Sequence, residues 1–238
     1  MLKKLFNLIH SIEKKIYPST NIPKGITSYS QCGEDLLVNY IFNAIGIQVI
    51  SYVDIGAHHP WYLSNTAFFY QKGSRGINID PNPKLIKLFE VCRSEDININ
   101  VGIETKEAVL DFYNISDDSL STFSKDEAEK LVGYGKKIVS VEKIRVTTIN
   151  KIIEQYFNNV FPDFLTIDTE GLELEILKTI DFTSNYPKVM CVETAEYSPT
   201  GRGTKKMELI DFIKSKGYYL YADTNLNSIF VKRKLWYY

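Results

Sequence analysis

Short runs of four to seven mostly apolar residues, rich in Val and Ile, alternate along this chain with longer stretches in which apolar positions recur every three or four residues. The runs at 52–55, 76–80, 97–103, 164–167 and 189–192 predict strands buried on both faces of a sheet. The stretch 34–46 carries Leu36, Leu37, Tyr40, Ile41 and Ile45 on one helical stripe, and Gly46 is its stop. Ser64 predicts a capped helix through Tyr70, and Asn82 with Pro83 starts another through Cys92. Thr147 or Thr148 caps a helix through Tyr156, and two more are expected over 172–180 and about 205–216. Residues 218–221 and 228–232 close the chain as a strand pair across a turn-rich connection. Strand and helix alternate, so the pattern predicts an α/β fold built on a parallel sheet.

Two segments break the alternation. Between 105 and 147 the pattern gives a short strand at 109–113, a polar loop at 117–124, a helix at 126–132 and an alternating strand at 138–146, which reads as an insertion beside the sheet. At the N-terminus, Leu2, Leu5, Phe6, Ile9, Ile12 and Ile16 recur at helical spacing among Lys3, Lys4, Lys14 and Lys15. That is a basic amphipathic helix, suited to packing on its own domain, on a second subunit or on a membrane surface. It is too short and too charged to span a bilayer. A connector over 18–28 follows it.

Composition narrows the classes. The 238 residues, 44% of them hydrophobic, suffice for one sizeable core and one domain. A net charge of −1 lacks the basic excess of a nucleic-acid binder, so no nucleic-acid partner is expected. Cys32, Cys92 and Cys191 are odd in number and widely spaced, with no Cys-x-x-Cys pair. Reduced thiols in the cytoplasm follow, at the inner face of a membrane if the N-terminal helix binds lipid.

The chemistry gathers at strand ends. The first predicted strand finishes in Tyr52-Val53-Asp54-Ile55-Gly56-Ala57-His58-His59-Pro60, where Gly56 lets the turn approach a ligand closely. The second ends in Asp80-Pro81-Asn82-Pro83, one strand-helix-strand unit further on. An acid at that place commonly takes ribose hydroxyls. The turn after Gly56 lacks the further glycines of G-x-G-x-x-G, so a nucleoside without a diphosphate fits better than a dinucleotide. Asp168 and Glu193 end two later strands, and in a parallel sheet all four acids converge on one edge. Each acid alone also reads as a helix cap or first-turn residue.

Ser30-Gln31-Cys32-Gly33-Glu34-Asp35, Asp54-Ile55-Gly56-Ala57-His58, Gly73-Ser74-Arg75-Gly76-Ile77, Ser119-Leu120-Ser121-Thr122 and Ile167-Asp168-Thr169-Glu170-Gly171-Leu172-Glu173 together resemble a class I S-adenosylmethionine-dependent methyltransferase of the FkbM family. The resemblance implies a Rossmann-like domain over 29–238 with a seven-stranded, mostly parallel sheet, an antiparallel last strand, helices on both faces and the N-terminal helical extension. It implies S-adenosylmethionine as methyl donor and O-methylation of a sugar, nucleotide sugar or glycan, in bacterial surface polysaccharide synthesis. In that setting Asp80 takes the ribose, Gly56 the close backbone approach, Ile103 the adenine wall, and Asp54 or Asp168 the ammonium group. Gln31, with Glu34 nearby, falls near the amino acid end of the donor; Gln31 reads equally as a helix-entry residue.

Methyl transfer to a hydroxyl needs alignment and a proton acceptor. His58, Glu170 and Glu193 are the candidate bases, His58 foremost and His59 behind it. Alternatively Asp168, Glu170 and Glu193 supply oxygen ligands to a divalent cation such as magnesium, with Glu170 and Glu173 otherwise explained as first-turn acids. Tyr197, Arg202 and Trp61 are candidates for sugar contact. A nicotinamide-dependent oxidoreductase and a non-catalytic donor-binding scaffold are the rival readings, the first weakened by the missing glycines and the missing Tyr-x-x-x-Lys pair. The chain is also compatible with a homo-oligomer.

Overall fold

A computed structural model describes residues 25–237, and the N-terminal amphipathic helix expected before them lies outside that range. Among the described residues, ten strands form two sheets. The larger has the order β3 (Ile97–Asn100), β2 (Arg75–Asp80), β1 (Ser51–Ile55), β7 (Phe164–Ile167), β8 (Val189–Glu193), β10 (Asn227–Lys232) and β9 (Tyr218–Asp223). Its strands run parallel except β10, which is antiparallel to both β8 and β9. The order reverses at β1, which lies between β2 and β7, so the loops leaving β1 and β7 diverge and open a crevice at the carboxyl ends of the strands.

Period-two burial explains why both faces are covered. Val53, Ile55, Leu165, Ile167, Met190 and Val192 point to one face, packed by helices α5 (Ile149–Phe157), α6 (Glu173–Lys178) and α7 (Met207–Ser215). Their neighbours Tyr52, Phe164, Val189 and Cys191 point to the other, packed by α1 (Glu34–Ala44), α2 (Ala67–Gln71) and the terminal α8 (Arg233–Trp236). Helix α3 (Pro83–Cys92) starts at Asn82, whose side chain accepts from the Lys84 N–H, as its Asn-Pro signal predicts. Thr148 rather than Thr147 caps α5 by accepting from Lys151. The helix expected from Ser64 begins later, at Ala67; the Ser64 hydroxyl instead accepts the Ala67 N–H at 3.2 Å from within the preceding loop.

One predicted strand is broken. Residues 97–103 divide into β3, in the main sheet, and β4 (Gly102–Ile103), which leaves it to pair with β6 (Ile138–Thr147). Beside β6 lies β5 (Ala108–Ile115), completing a three-stranded sheet, and α4 (Lys125–Gly133) covers it. Gly102 permits the change of sheet, because a Cβ there would sit 2.4 Å from the Phe123 ring. The polar loop after β5 holds a single 3-10 turn, Asp118–Leu120, and arches over the carboxyl edge of the main sheet. No helix among the described residues is long and apolar enough to cross a membrane.

Candidate active site

A cavity of about 330 Å³ lies where the strand ends of the main sheet face the 117–123 loop. The turn leaving β1 forms its floor and is pinned from both sides. Gly56 and Ala57 donate to the Ile79 carbonyl at 3.0 and 3.1 Å, while the Asp168 N–H donates to the Ile55 carbonyl at 3.0 Å. Gly56 adopts φ +76°, and a Cβ on it would stand 1.8 Å from the backbone oxygen of Asp168. The close approach read from the sequence is therefore first to the neighbouring strand's exit loop, although Gly56 also faces the cavity.

Asp80, at the end of β2, holds the turn and faces the cavity at once. Its Oδ2 accepts the His58 N–H at 3.0 Å and its Oδ1 the Asn82 N–H at 2.8 Å. Burial pushes its pKa up to about 6 against the pull of those donors. Ile103 and Val101 stand in the same wall and make it apolar beside the carboxylate.

Asp54 is not in the wall. It accepts the Thr66 hydroxyl at 2.6 Å; Thr66 in turn accepts from Arg93 Nη1 at 3.0 Å. Arg93 is fully buried, paired with Asp96 at 2.8 Å and hydrogen-bonded to the Tyr52 hydroxyl. Burial raises Asp54 to about 6, with Thr66 and Arg93 opposing. Nothing in the spacing of Thr66, Arg93 and Asp96 marked this network, whose members meet only when the fold closes.

The opening motif divides in the same way. Gln31 lines the cavity mouth. Glu34 does not: its Oε1 accepts from Thr224 and Asn227 at 2.6 and 3.1 Å, and its Oε2 from the Cys32 N–H at 2.7 Å. Asp35 accepts from the Ser28 and Ser30 hydroxyls and the Tyr29 N–H. These two buried acids tie down the segment that presents Gln31.

Three carboxylates gather at the far side. Asp168, Glu170 and Glu193 each place an oxygen within 4.8 Å of the others. Asp168 Oδ1 is buried without a partner. Burial and then the repulsion of neighbouring acids hold Asp168 and Glu170 well above the usual carboxylate range. Burial pushes Glu193 up to about 7 against the pull of Lys206, whose Nζ lies 2.9 Å from Glu193 Oε2 and 3.1 Å from Glu173 Oε2. Glu173 is more than a helix-end acid. Its Oε1 accepts from the Thr169 N–H, the Thr169 hydroxyl and the Gly171 N–H, and with Lys206 these outweigh burial and keep it below its ordinary pKa. It folds the loop that carries Glu170, itself at φ 53°.

The insertion completes the site. Thr122 Oγ1 donates to the Glu170 carbonyl at 3.1 Å, and Asp118 Oδ1 lies 3.3 Å from His58 Nε2. His58 Nδ1 is buried and unpartnered, while its neighbour His59 only braces the turn, accepting from the Trp61 and Tyr62 N–H groups. Of the sugar-contact candidates, Tyr197 lines the cavity; Trp61 and Arg202 do not, and Trp61 packs on Tyr29 and Tyr70 instead. Lys206 and Asp118 were not singled out by sequence, and Thr122 only as the end of the motif 119–122 without a role, because a Lys before a helix or a polar loop residue is ordinary until the fold closes.

An open parallel sheet with one reversed strand, and a carboxylate-lined cavity at its carboxyl edge, is the frame of a class I methyltransferase. Residues 54–220 match the family described as "Methyltransferase FkbM domain". The chain belongs to that family and is a methyltransferase. No curated protein matches its sequence. Among solved structures, it is similar to a TehB-like SAM-dependent methyltransferase from Corynebacterium glutamicum (11% identity, TM-score 0.42, covering 98% of this chain and 100% of that one). It is also similar to an O-methyltransferase from Bacillus cereus in complex with SAH (10%, 0.40, 93% and 95%). A third is a Burkholderia thailandensis 1,6-didemethyltoxoflavin-N1-methyltransferase with bound 1,6-didemethyltoxoflavin and S-adenosylhomocysteine (10%, 0.39, 97% and 85%). At these scores the family match carries the assignment.

Proposed function

We propose that this methyltransferase moves the methyl group of S-adenosylmethionine to a hydroxyl of a sugar or glycan. The observation that carries the reading is the buried, unpartnered Asp168 Oδ1 within a cluster of three carboxylates, on the same cavity wall as Asp80 and the apolar Ile103. A donor with a ribose diol, an adenine and cationic sulfonium and ammonium groups fits that wall, and when bound it supplies an activated methyl group. Asp80 keeps acceptor capacity for the ribose hydroxyls beyond its two backbone bonds. Asp168 would hold the ammonium group, Gln31 the amino acid end, and Ile103 the adenine face. Asp54 serves at one remove, by holding the strand end and Thr66.

His58 is the assigned base. Asp118 on Nε2 favours the tautomer with its proton there and leaves the unpartnered Nδ1, buried in the ligand-free protein, to take the proton of the acceptor hydroxyl once the ring turns it toward the cavity. Glu170 and Glu193, whose pKa values burial raises, shape the acceptor end and are the alternative bases in their ionised forms.

A second reading follows from the same oxygens. Asp168, Glu170 and Glu193 have the chemistry and mutual spacing to hold a divalent cation such as magnesium, which when bound lowers the pKa of an acceptor hydroxyl. The test is transfer from labelled donor to a panel of sugars and oligosaccharides, with and without chelator. His58→Ala should abolish turnover while sparing donor binding, and unchanged turnover would remove His58 as base. Loss of activity in chelator, restored by magnesium, would select the second reading.

A further inference from the structure

The charge of the cavity wall bears on the kind of acceptor it admits. Six carboxylates line it, those of Asp80, Asp117, Asp118, Asp168, Glu170 and Glu193, and no Lys or Arg does so among the described residues. Only two of them meet a lysine from outside the wall: Asp117 meets Lys136 at 2.8 Å and Glu193 meets Lys206 at 2.9 Å. Asp118 faces the His58 ring at 3.3 Å and its side chain is 61% exposed. Asp168 Oδ1 is buried without any partner.

Sites for phosphate or carboxylate present Arg, Lys or free backbone amides. The start of α3, whose Asn82 lines the cavity, withholds its amides: Pro83 has no N–H, and the Lys84 N–H is bound by Asn82 Oδ1 at 3.0 Å. An anion placed here meets a wall of carboxyl groups with no Lys or Arg among the described residues, and loses its water without gaining a cationic partner. A neutral hydroxyl is served well, since each O–H finds a carboxylate to donate to.

We infer that the site selects acceptors with no phosphate or carboxylate near the methylated hydroxyl, a neutral or amino-substituted sugar rather than a nucleoside diphosphate sugar or a uronic acid, and that Asp118 enforces the choice. The inference rests on the proposed transfer to a sugar hydroxyl and narrows it. Asp118 acts from the insertion, on the 3-10 turn that closes the cavity. It repels an anionic acceptor without needing to touch the reacting atoms.

Matched pairs test this with the full-length protein and labelled donor: a methyl hexoside against its hexuronate, an oligosaccharide against a uridine diphosphate hexose, and a neutral against a carboxylate-bearing non-sugar alcohol. The neutral member should exceed the anionic one at least tenfold in kcat/KM, and Asp118→Asn should narrow that ratio severalfold. Equal or better use of the anionic members, or a ratio that Asp118→Asn leaves unmoved, overturns the inference. Turnover of the non-sugar pair alone sinks the sugar reading, while the same ratio still decides the charge rule. Should no pair turn over, calorimetry decides. Asp118→Asn should weaken cationic S-adenosylmethionine relative to S-adenosylhomocysteine by threefold or more, and an unchanged ratio of affinities overturns the negative wall itself.

Discussion

Replacing Gly56 by Ala tests whether the turn at the cavity floor is fixed by backbone contact. Two costs combine. The residue sits at φ +76°, where an L side chain costs about 1–2 kcal/mol. The new methyl would also stand 1.8 Å from the Asp168 carbonyl oxygen, so β1 and the β7 exit must separate by more than an ångström. That movement breaks the 3.0 Å bond from the Asp168 N–H to the Ile55 carbonyl, and a buried pair left unsatisfied costs about 1–3 kcal/mol. Together the substitution should destabilise by roughly 2–5 kcal/mol, on the order of 10 °C in Tm for a chain of this length. It also displaces Asp168 from the cavity, so S-adenosylhomocysteine binding should fall further than stability alone explains. Gly33→Ala is the control: φ is +88° there but a Cβ meets nothing within 4 Å, so only the backbone cost applies. Thermal unfolding by circular dichroism and product binding by calorimetry read both effects. Gly56→Ala melting within about 2 °C of wild type, or no worse than Gly33→Ala, would refute the reasoning.

Other consequences are as direct. Arg93→Met leaves Asp96 charged and buried without its partner, which should cost about 3–5 kcal/mol in urea unfolding; a loss under about 1 kcal/mol would show that the network contributes little. Thr122→Val removes the bond to the Glu170 carbonyl and should lower kcat more than it raises KM, with Thr122→Ser restoring it; equal turnover in all three would separate the insertion from the Glu170 loop. Asp80 and Asp54 titrate near 6 when folded against about 3.9 unfolded, so their contribution to stability is full below about pH 4 and is lost as pH rises through 6. The ligand-free protein should therefore lose up to roughly 3 kcal/mol for each between about pH 4 and 7. Asp80→Asn should flatten that decline, and a variant that melts along the wild-type slope would contradict the assignment.

The central strands of the main sheet were legible because they are buried on both faces, and burial on both faces leaves a mostly apolar run in the sequence. Residues 164–167 and 189–192 show this most plainly. Where burial is one-sided or the chain changes sheet, the signal fades. Ile97 to Ile103 reads as one strand because Ile99, Val101 and Ile103 alternate through the crossing, and only the Phe123 ring against Gly102 reveals the break. Strand-end acids were legible as a set, since a parallel sheet must bring them to one edge. Their division of labour was not, because it depends on hydrogen bonds between residues far apart in sequence, such as Glu34 with Thr224 and Asn227.

That division changes what a motif means here. In Ser30-Gln31-Cys32-Gly33-Glu34-Asp35, one side chain, Gln31, reaches the cavity while Glu34 and Asp35 hold the backbone that presents it. In Asp54-Ile55-Gly56-Ala57-His58, Asp54 belongs to the buried network and His58 to the wall. In Asp168-Thr169-Glu170-Gly171-Leu172-Glu173, Glu173 folds the loop and Asp168 and Glu170 face inward. Each motif thus couples residues that face the cavity to residues that hold them in place, as the alignment of methyl transfer demands. Substitution of a fixing residue should then resemble loss of the residue it holds. Glu173→Gln, which keeps the acceptor oxygen for the loop amides but discards the charge facing Lys206, should impair turnover through Glu170 and Glu193 more than it impairs folding. Turnover that falls only in step with Tm would show Glu173 to be a purely structural acid.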